Sequence, residues 1–289
     1  MKNTQRDSVL ITIAKLHEAM QSSNPPVILD VRWELPTSLA PFDGKPDYLA
    51  GHIPGAVYLD LDTELAEPPA KAQGRHPLPT DQRLQQALER CGVTPEKLIV
   101  AYDAIGGLGA ARAWWLLRDA GFNVRLLDGG YPAWQAAGYP IETGEVIPHP
   151  SQLKLERGKL PIIEIDEIPA FVESGILLDA RGGPRYTGES EPLDARPGHI
   201  PGAHSAPSGH DIDKEGHFLS DEELQQRFTR HGISADGAPV AVYCGSGVTA
   251  AHEIAALAIV GIEAALFPGS YSQWSADQAR PIETGPDYH

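Results

Sequence analysis

VAVYCGSGVTAAHEIAAL, residues 240–257, decides how the chain is read. The β-forming residues Val240, Val242 and Tyr243 run up to Cys244, the glycines Gly245 and Gly247 follow, and from Val248 the pattern is helical. The stretch therefore reads as a strand, a tight loop and a helix N-terminus. The first amides of a helix lack intrahelical acceptors, and together with the loop amides they converge on the side chain at the strand end. A thiolate placed there is stabilised by those donors and by the helix dipole, with no basic residue needed in the loop itself. The expectation is a nucleophilic sulfur at the mouth of an amide ring. One more buried core thiol is the competing reading, and the two glycines count against it, because a core thiol does not require them.

The same unit occurs earlier in the chain. GHIPGA stands at 51–56 and again at 198–203, ILDVR at 28–32 matches LLDAR at 177–181, IVAYD at 99–103 matches VAVYC at 240–244, and PIETG recurs at 140–144 and 281–285. The order is the same in both halves, which marks a duplication. Strands are expected at 27–31, 98–102 and 123–127, then at 176–180, 239–243 and 263–267, with helices between them at 82–90, 109–120, 222–230 and 248–260. Ser220 followed by Glu223 is a capping-box signature. This alternation predicts an α/β fold in which each half is a mainly parallel sheet flanked by helices on both faces, with functional groups beyond the carboxyl ends of the strands. A further helix is expected near the N-terminus, with Ile11, Ala14, Leu16 and Met20 on one face.

Composition narrows the function. A length of 289 residues suits two domains. The net charge of −16, from 23 basic and 39 acidic residues, argues against nucleic acid or an anionic membrane as partner, and an anionic substrate would need a local basic pocket. Two cysteines, Cys91 and Cys244, exclude a disulfide framework and a thiolate-rich metal site. The histidines have no metal-binding spacing, and no phosphate loop of the P-loop pattern occurs, so no metal and no cofactor are expected. The N-terminus lacks a sustained apolar region with a cleavage site, and a cytoplasmic location is expected.

The duplicated GHIPGA and the strand-end cysteine loop resemble the tandem-domain rhodanese superfamily of sulfurtransferases, over nearly the whole chain. The loop CGSGVT, 244–249, is similar to that of members using 3-mercaptopyruvate, whereas members using thiosulfate typically carry basic residues just after the cysteine. The resemblance implies two tandem rhodanese-like domains: a catalytically silent one at 1–145, a linker at 146–160 and a catalytic one at 161–289. In the silent copy Asp103 takes the place of Cys244, and a carboxylate cannot carry sulfane sulfur. Cys91 matches His231 in the repeat and reads as a structural position.

The resemblance also implies site residues. Cys244 would become a persulfide, with Gly245, Gly247, Val248 and Thr249 forming the cradle for the donor. Arg185, in RYTG, matches the family's substrate-binding arginine, and Arg196 is a second candidate; an ion pair with Glu189, Glu191 or Asp194 is the alternative for each. The family's matching serine, here Ser246, is held to work with a histidine and an aspartate of the first domain. His52 of the first GHIPGA matches that histidine, with Asp43 or Asp47 as the acid, although the second copy carries His199 in the same phrase, which favours a loop-building role. Arg75 and His76, in GRHPLP, have no counterpart in the second half and stay unassigned. The implied partners are a small anionic sulfur donor and, as acceptor, a small thiol, thioredoxin or cyanide.

Overall fold

The computed structural model describes residues 4–34 and 42–286. The first half runs α1 (Thr4–Val9), β1 (Leu10–Ile11), α2 (Ile13–Met20), β2 (Val27–Asp30), α3 (Lys45–Ala50), β3 (Val57–Tyr58), α4 (Leu61–Glu64), α5 (Asp81–Arg90), β4 (Ile99–Tyr102), α6 (Ala110–Asp119), β5 (Val124–Leu127) and α7 (Gly130–Ala136). The second runs α8 (Ile168–Phe171), β6 (Ile176–Asp179), α9 (Gly183–Thr187), β7 (Ala203–Ser205), α10 (Asp221–Arg230), β8 (Val240–Tyr243), α11 (Thr249–Ile259), β9 (Ala264–Leu266) and α12 (Ser270–Ala276). Every strand pairing is parallel, in the orders β1-β5-β4-β2-β3 and β7-β6-β8-β9. The central strands β4 and β8 are buried along their full length, as their unbroken apolar runs require.

One expectation needed correction. Ile11 belongs to the edge strand β1, paired with β5, and not to an N-terminal helix; two residues carry too little periodic signal to be read as a strand. The linker between the halves is not free of the domains but lies against the first one: the Arg157 guanidinium reaches the buried Asp119 carboxylate at 3.0 Å, and the Ser151 amide donates to Glu89 O at 2.9 Å. Lys154 and Glu156 do form an exposed pair.

The repeated phrases turn out to be one structural device. In each half the GHIPGA histidine makes a two-residue antiparallel bridge with the glutamate of PIETG, His52 with Glu142 and His199 with Glu283. The ring of His52 stacks on Tyr48 with Nδ1 2.9 Å from Tyr48 O, and His199 stacks on Tyr186 with Nδ1 2.8 Å from Tyr186 O. The DxR of the preceding strand supplies the buried ion pairs Arg32–Asp30 and Arg181–Asp179, and each arginine also donates to the carbonyl of the GHIPGA glycine, Gly51 or Gly198.

The halves share one continuous core in which α6 packs against α11 and α1 lies on α11. Arg6 of α1 reaches across to the carbonyls of Phe218 and Leu219 and to Asp221, which the capping box of Ser220 and Glu223 sets at the start of α10. This packing brings the cysteine loop against the first domain.

Candidate active site

Cys244 sits at the carboxyl end of β8, where the chain turns into α11. Gly247 takes a positive φ of 78°, and its amide then points at the sulfur, with N 3.1 Å from Sγ. The Cys244 amide donates to Ser270 Oγ at 3.1 Å, and the Cys244 and Gly245 carbonyls accept from the amides of Tyr271 and Ser272. Ser270 holds φ at 53°, a left-handed conformation that costs a non-glycine residue about 1 kcal/mol. The matching place in the first half is Gly130, at φ 58°. Ser270 therefore keeps a strained backbone together with a hydroxyl that anchors the cysteine. Sequence reading passed over it, although a serine where the repeat has glycine was a visible signal.

Above the loop two guanidinia converge. A β-carbon on Gly245 would stand 2.7 Å from Arg75 Nη2 and 3.1 Å from Arg185 Nη1. Arg185 is held from behind by Glu191, at 2.9 and 3.0 Å, and by Asp194 at 2.6 Å, and Asp194 also pairs with Arg75. The predicted ion pairs of Arg185 thus exist without removing it from the site. Burial opposes the charge on Glu191, but the hydrogen-bonded Arg185 outweighs it and keeps that carboxyl below the ordinary range. Arg196 is elsewhere: its guanidinium donates to the carbonyls of Trp274, Ser275, Asp277 and Arg280, capping the end of α12.

The hydroxyl of Ser246 lies 2.7 Å from His76 Nδ1, and His76 Nε2 lies 3.1 Å from Asp62 Oδ1. This serine–histidine–aspartate line is built from both domains and includes the expected Ser246, but its histidine and aspartate are not the ones expected. His52 faces Tyr48 and Glu142 instead of Ser246, for the architectural reason given above. Asp43 caps the Lys45 amide and Asp47 lies within α3. His76 and Asp62 have no counterparts in the repeat, so self-comparison had nothing to align them with. Val248 turns its side chain into the core, and Thr249 opens α11.

The sulfur is less open than a loop-mouth nucleophile was expected to be: Cys244 is 1% exposed. Its inner side joins the shared core, while its outer side meets an amide and the guanidinium-covered loop. Cys91 is equally enclosed, and burial pushes its thiol up to about 12, with the Arg90 charge too weak to offset it. It remains a protonated core thiol. A cavity of about 350 Å³ lined by Asp60, Glu64, Arg90 and Glu145 belongs to the first domain and includes none of the residues around Cys244.

The silent loop shows what the cradle is built to hold. Asp103 is fully buried and accepts four amides: Ile105 and Gly107 on Oδ1, Gly109 and Ala110 on Oδ2, at 2.7 to 2.9 Å. A fixed carboxylate fills the place that the sulfur holds in the second half.

Known proteins place this arrangement. The rhodanese-like domain family matches residues 12–137 and 164–277. The chain is 45% identical to "Putative thiosulfate sulfurtransferase SseB" of Mycobacterium tuberculosis, over 97% of this chain and 98% of that one. It is 40% identical to "Probable 3-mercaptopyruvate sulfurtransferase" of Pseudomonas aeruginosa, over 96% and 98%. The crystal structure of SseA from Escherichia coli, described as a 3-mercaptopyruvate sulfotransferase, superposes with a TM-score of 0.81 at 30% identity, covering 92% of this chain and 99% of that one. With two such domains in tandem and a cysteine loop in the second, the chain belongs to the rhodanese family and is a sulfurtransferase.

Proposed function

We propose that the enzyme transfers sulfane sulfur from 3-mercaptopyruvate to a small thiol, thioredoxin or cyanide through a Cys244 persulfide. The Cys244 thiolate attacks the thiol sulfur of the donor. As the S–S bond forms the C–S bond breaks, its electron pair passes into the enolate of pyruvate, and a proton delivered to the enolate carbon gives pyruvate. The donor's thiol proton stays with the outer sulfur of the persulfide. An acceptor thiolate then attacks that outer sulfur and releases Cys244 as thiolate. Arg185 and Arg75 hold the donor carboxylate, and the Gly247 amide supports negative charge on the sulfur.

The contact between Ser246 and His76 carries this reading. A carbon leaving group needs a proton, and Ser246 backed by His76 and Asp62 is placed to supply one, whereas sulfite leaves thiosulfate with its electron pair and needs none. Thiosulfate is the second reading. It is favoured by the paired guanidinia, which compensate a dianion although the loop itself has no basic residue, and by the name of the Mycobacterium tuberculosis relative.

Comparing kcat/KM for both donors in wild type and His76→Gln separates the two. The proposal expects a preference for 3-mercaptopyruvate that falls about 100-fold in the variant, with thiosulfate turnover nearly unchanged. A preference for thiosulfate, or an equal loss with both donors, overturns it. One sulfur added to the protein by 3-mercaptopyruvate, and absent in Cys244→Ser, identifies the carrier.

A further inference from the structure

Arg112 of α6 is fully buried, and its hydrogen bonds go to main-chain carbonyls alone: Leu65 O at 3.2 Å, Gly247 O at 3.1 Å, His76 O at 3.0 Å and Pro77 O at 3.2 Å. The other buried arginines have carboxylate partners, Arg32 with Asp30 and Arg181 with Asp179. Among the described residues no carboxylate forms an ion pair with Arg112. Taking a cation out of water without a counter-charge is costly, and burial does push the Arg112 guanidinium down, to about 10, while Cys244 is the neighbour that favours its charge. It stays protonated at neutral pH.

Its position fits that charge to the sulfur. Gly247 accepts from Arg112 through its carbonyl and donates to Cys244 Sγ through its amide, each at 3.1 Å, so a single residue separates the guanidinium from the sulfur. The same guanidinium holds the carbonyls of His76 and Pro77, in the first-domain segment that carries Arg75 and His76 to the site.

The duplication supplies an internal control. At the silent loop, Gly106 O, which corresponds to Gly247 O, accepts at 3.1 Å from His252 Nε2 across the domain interface. Burial lowers the pKa of His252 and keeps it neutral. There the strand-end group is the carboxylate of Asp103, which accepts from four amides. The charged donor thus stands at the loop whose strand-end group is a thiol that must ionise to react, and the neutral donor at the loop whose strand-end group is a carboxylate held by four amides.

We propose that Arg112 is the counter-charge and the positioning residue of the Cys244 loop: it stabilises the Cys244 sulfur as a thiolate, before it attacks the donor and again when the acceptor releases it, and ties the His76 segment to that loop. The proposal rests on Cys244 being the sulfur carrier, but its first half is read without any donor. The thiolate ultraviolet band is titrated between about pH 4 and 10 in the reduced full-length enzyme, as the difference from the same protein carrying Cys244→Ser, for wild type, Arg112→Gln and Arg112→Lys.

Arg112→Gln keeps an amide donor and loses the charge, and the thiol pKa is expected to rise by about one unit or more. Arg112→Lys keeps the charge, so the pKa is expected to stay within about 0.3 units, while kcat drops roughly ten-fold because a compact ammonium cannot hold four carbonyls in a fixed fork. An unmoved thiol pKa in folded Arg112→Gln overturns the proposal. Should that variant lack a cooperative melt, a full-unit rise in Arg112→Lys overturns it equally. Failure of 3-mercaptopyruvate to add sulfur to the wild type would defeat the donor assignment and leave this titration readable.

Discussion

Replacing Gly245 by alanine tests the substrate-binding part of the site with little disturbance elsewhere. Gly245 is not among the glycines with positive φ, so alanine fits its backbone. The new β-carbon would lie 2.7 Å from Arg75 Nη2 and 3.1 and 3.3 Å from Arg185 Nη1 and Nη2, inside van der Waals contact. All three atoms end long side chains, so the guanidinia swing away before the loop moves. Both arginines have carboxylate partners outside the loop, in Asp194 and Glu191, and the fold is expected to lose less than about 0.5 kcal/mol. A donor anion would lose at least one charge-assisted hydrogen bond, worth about 1.5–3 kcal/mol, which is roughly 10- to 150-fold in binding. Because the sulfur and the Ser246–His76 contact are untouched, the loss should appear in KM, with kcat nearly constant. The assay is initial rates with 3-mercaptopyruvate at saturating acceptor, alongside calorimetric melting. A KM within about two-fold of wild type at unchanged Tm would refute the role given to the two arginines.

Gly247→Ala should behave oppositely, since φ is 78° and the β-carbon would meet the Pro268 carbonyl oxygen at 2.5 Å: melting should show a loss of more than about 1 kcal/mol, and mass spectrometry a loss of the persulfide. Ser270→Gly should gain back the strain of about 1 kcal/mol yet lower kcat by freeing the Cys244 amide, whereas Ser270→Ala loses both stability and rate; equal kcat in all three proteins would remove Ser270 from the site. His52→Asn should cost about 1–3 kcal/mol in chemical denaturation and leave kcat intact, because it breaks the Tyr48 bond and touches nothing near Ser246.

The fourth of these concerns pH. His252 is neutral in the fold, with its pKa depressed below the ordinary 6.5 by burial, so acid favours the unfolded chain, which binds the proton more readily. The stability advantage of wild type over His252→Gln should be full above pH 6.5 and shrink as pH falls below it. A constant or growing gap in calorimetry between pH 7.5 and 5.5, values bracketing the ordinary histidine range of about 6.5, would contradict it.

The sequence alone determined the two α/β units, their order and the place of the cysteine loop, because those depend on local periodicity and on a duplication in which each motif appears beside its copy. Strand β8, the loop at Cys244 and helix α11 are contiguous in the chain, and contiguous residues can be read from spacing. Arg185 was singled out by resemblance, through the RYTG motif on its own short helix. Tertiary structure alone decided the rest. Asp62, Arg75, His76 and Arg112 belong to the first domain, and only the packing of α6 on α11 brings them to a cysteine more than a hundred residues away. The repeat did warn against His52, since a residue present in both copies serves what the copies share, the closure of a loop on PIETG, whereas the contact to Ser246 comes from His76, which the second half lacks. Distance along the chain carries no information about which side chains a folded interface will juxtapose; burial and packing of the two helical faces do.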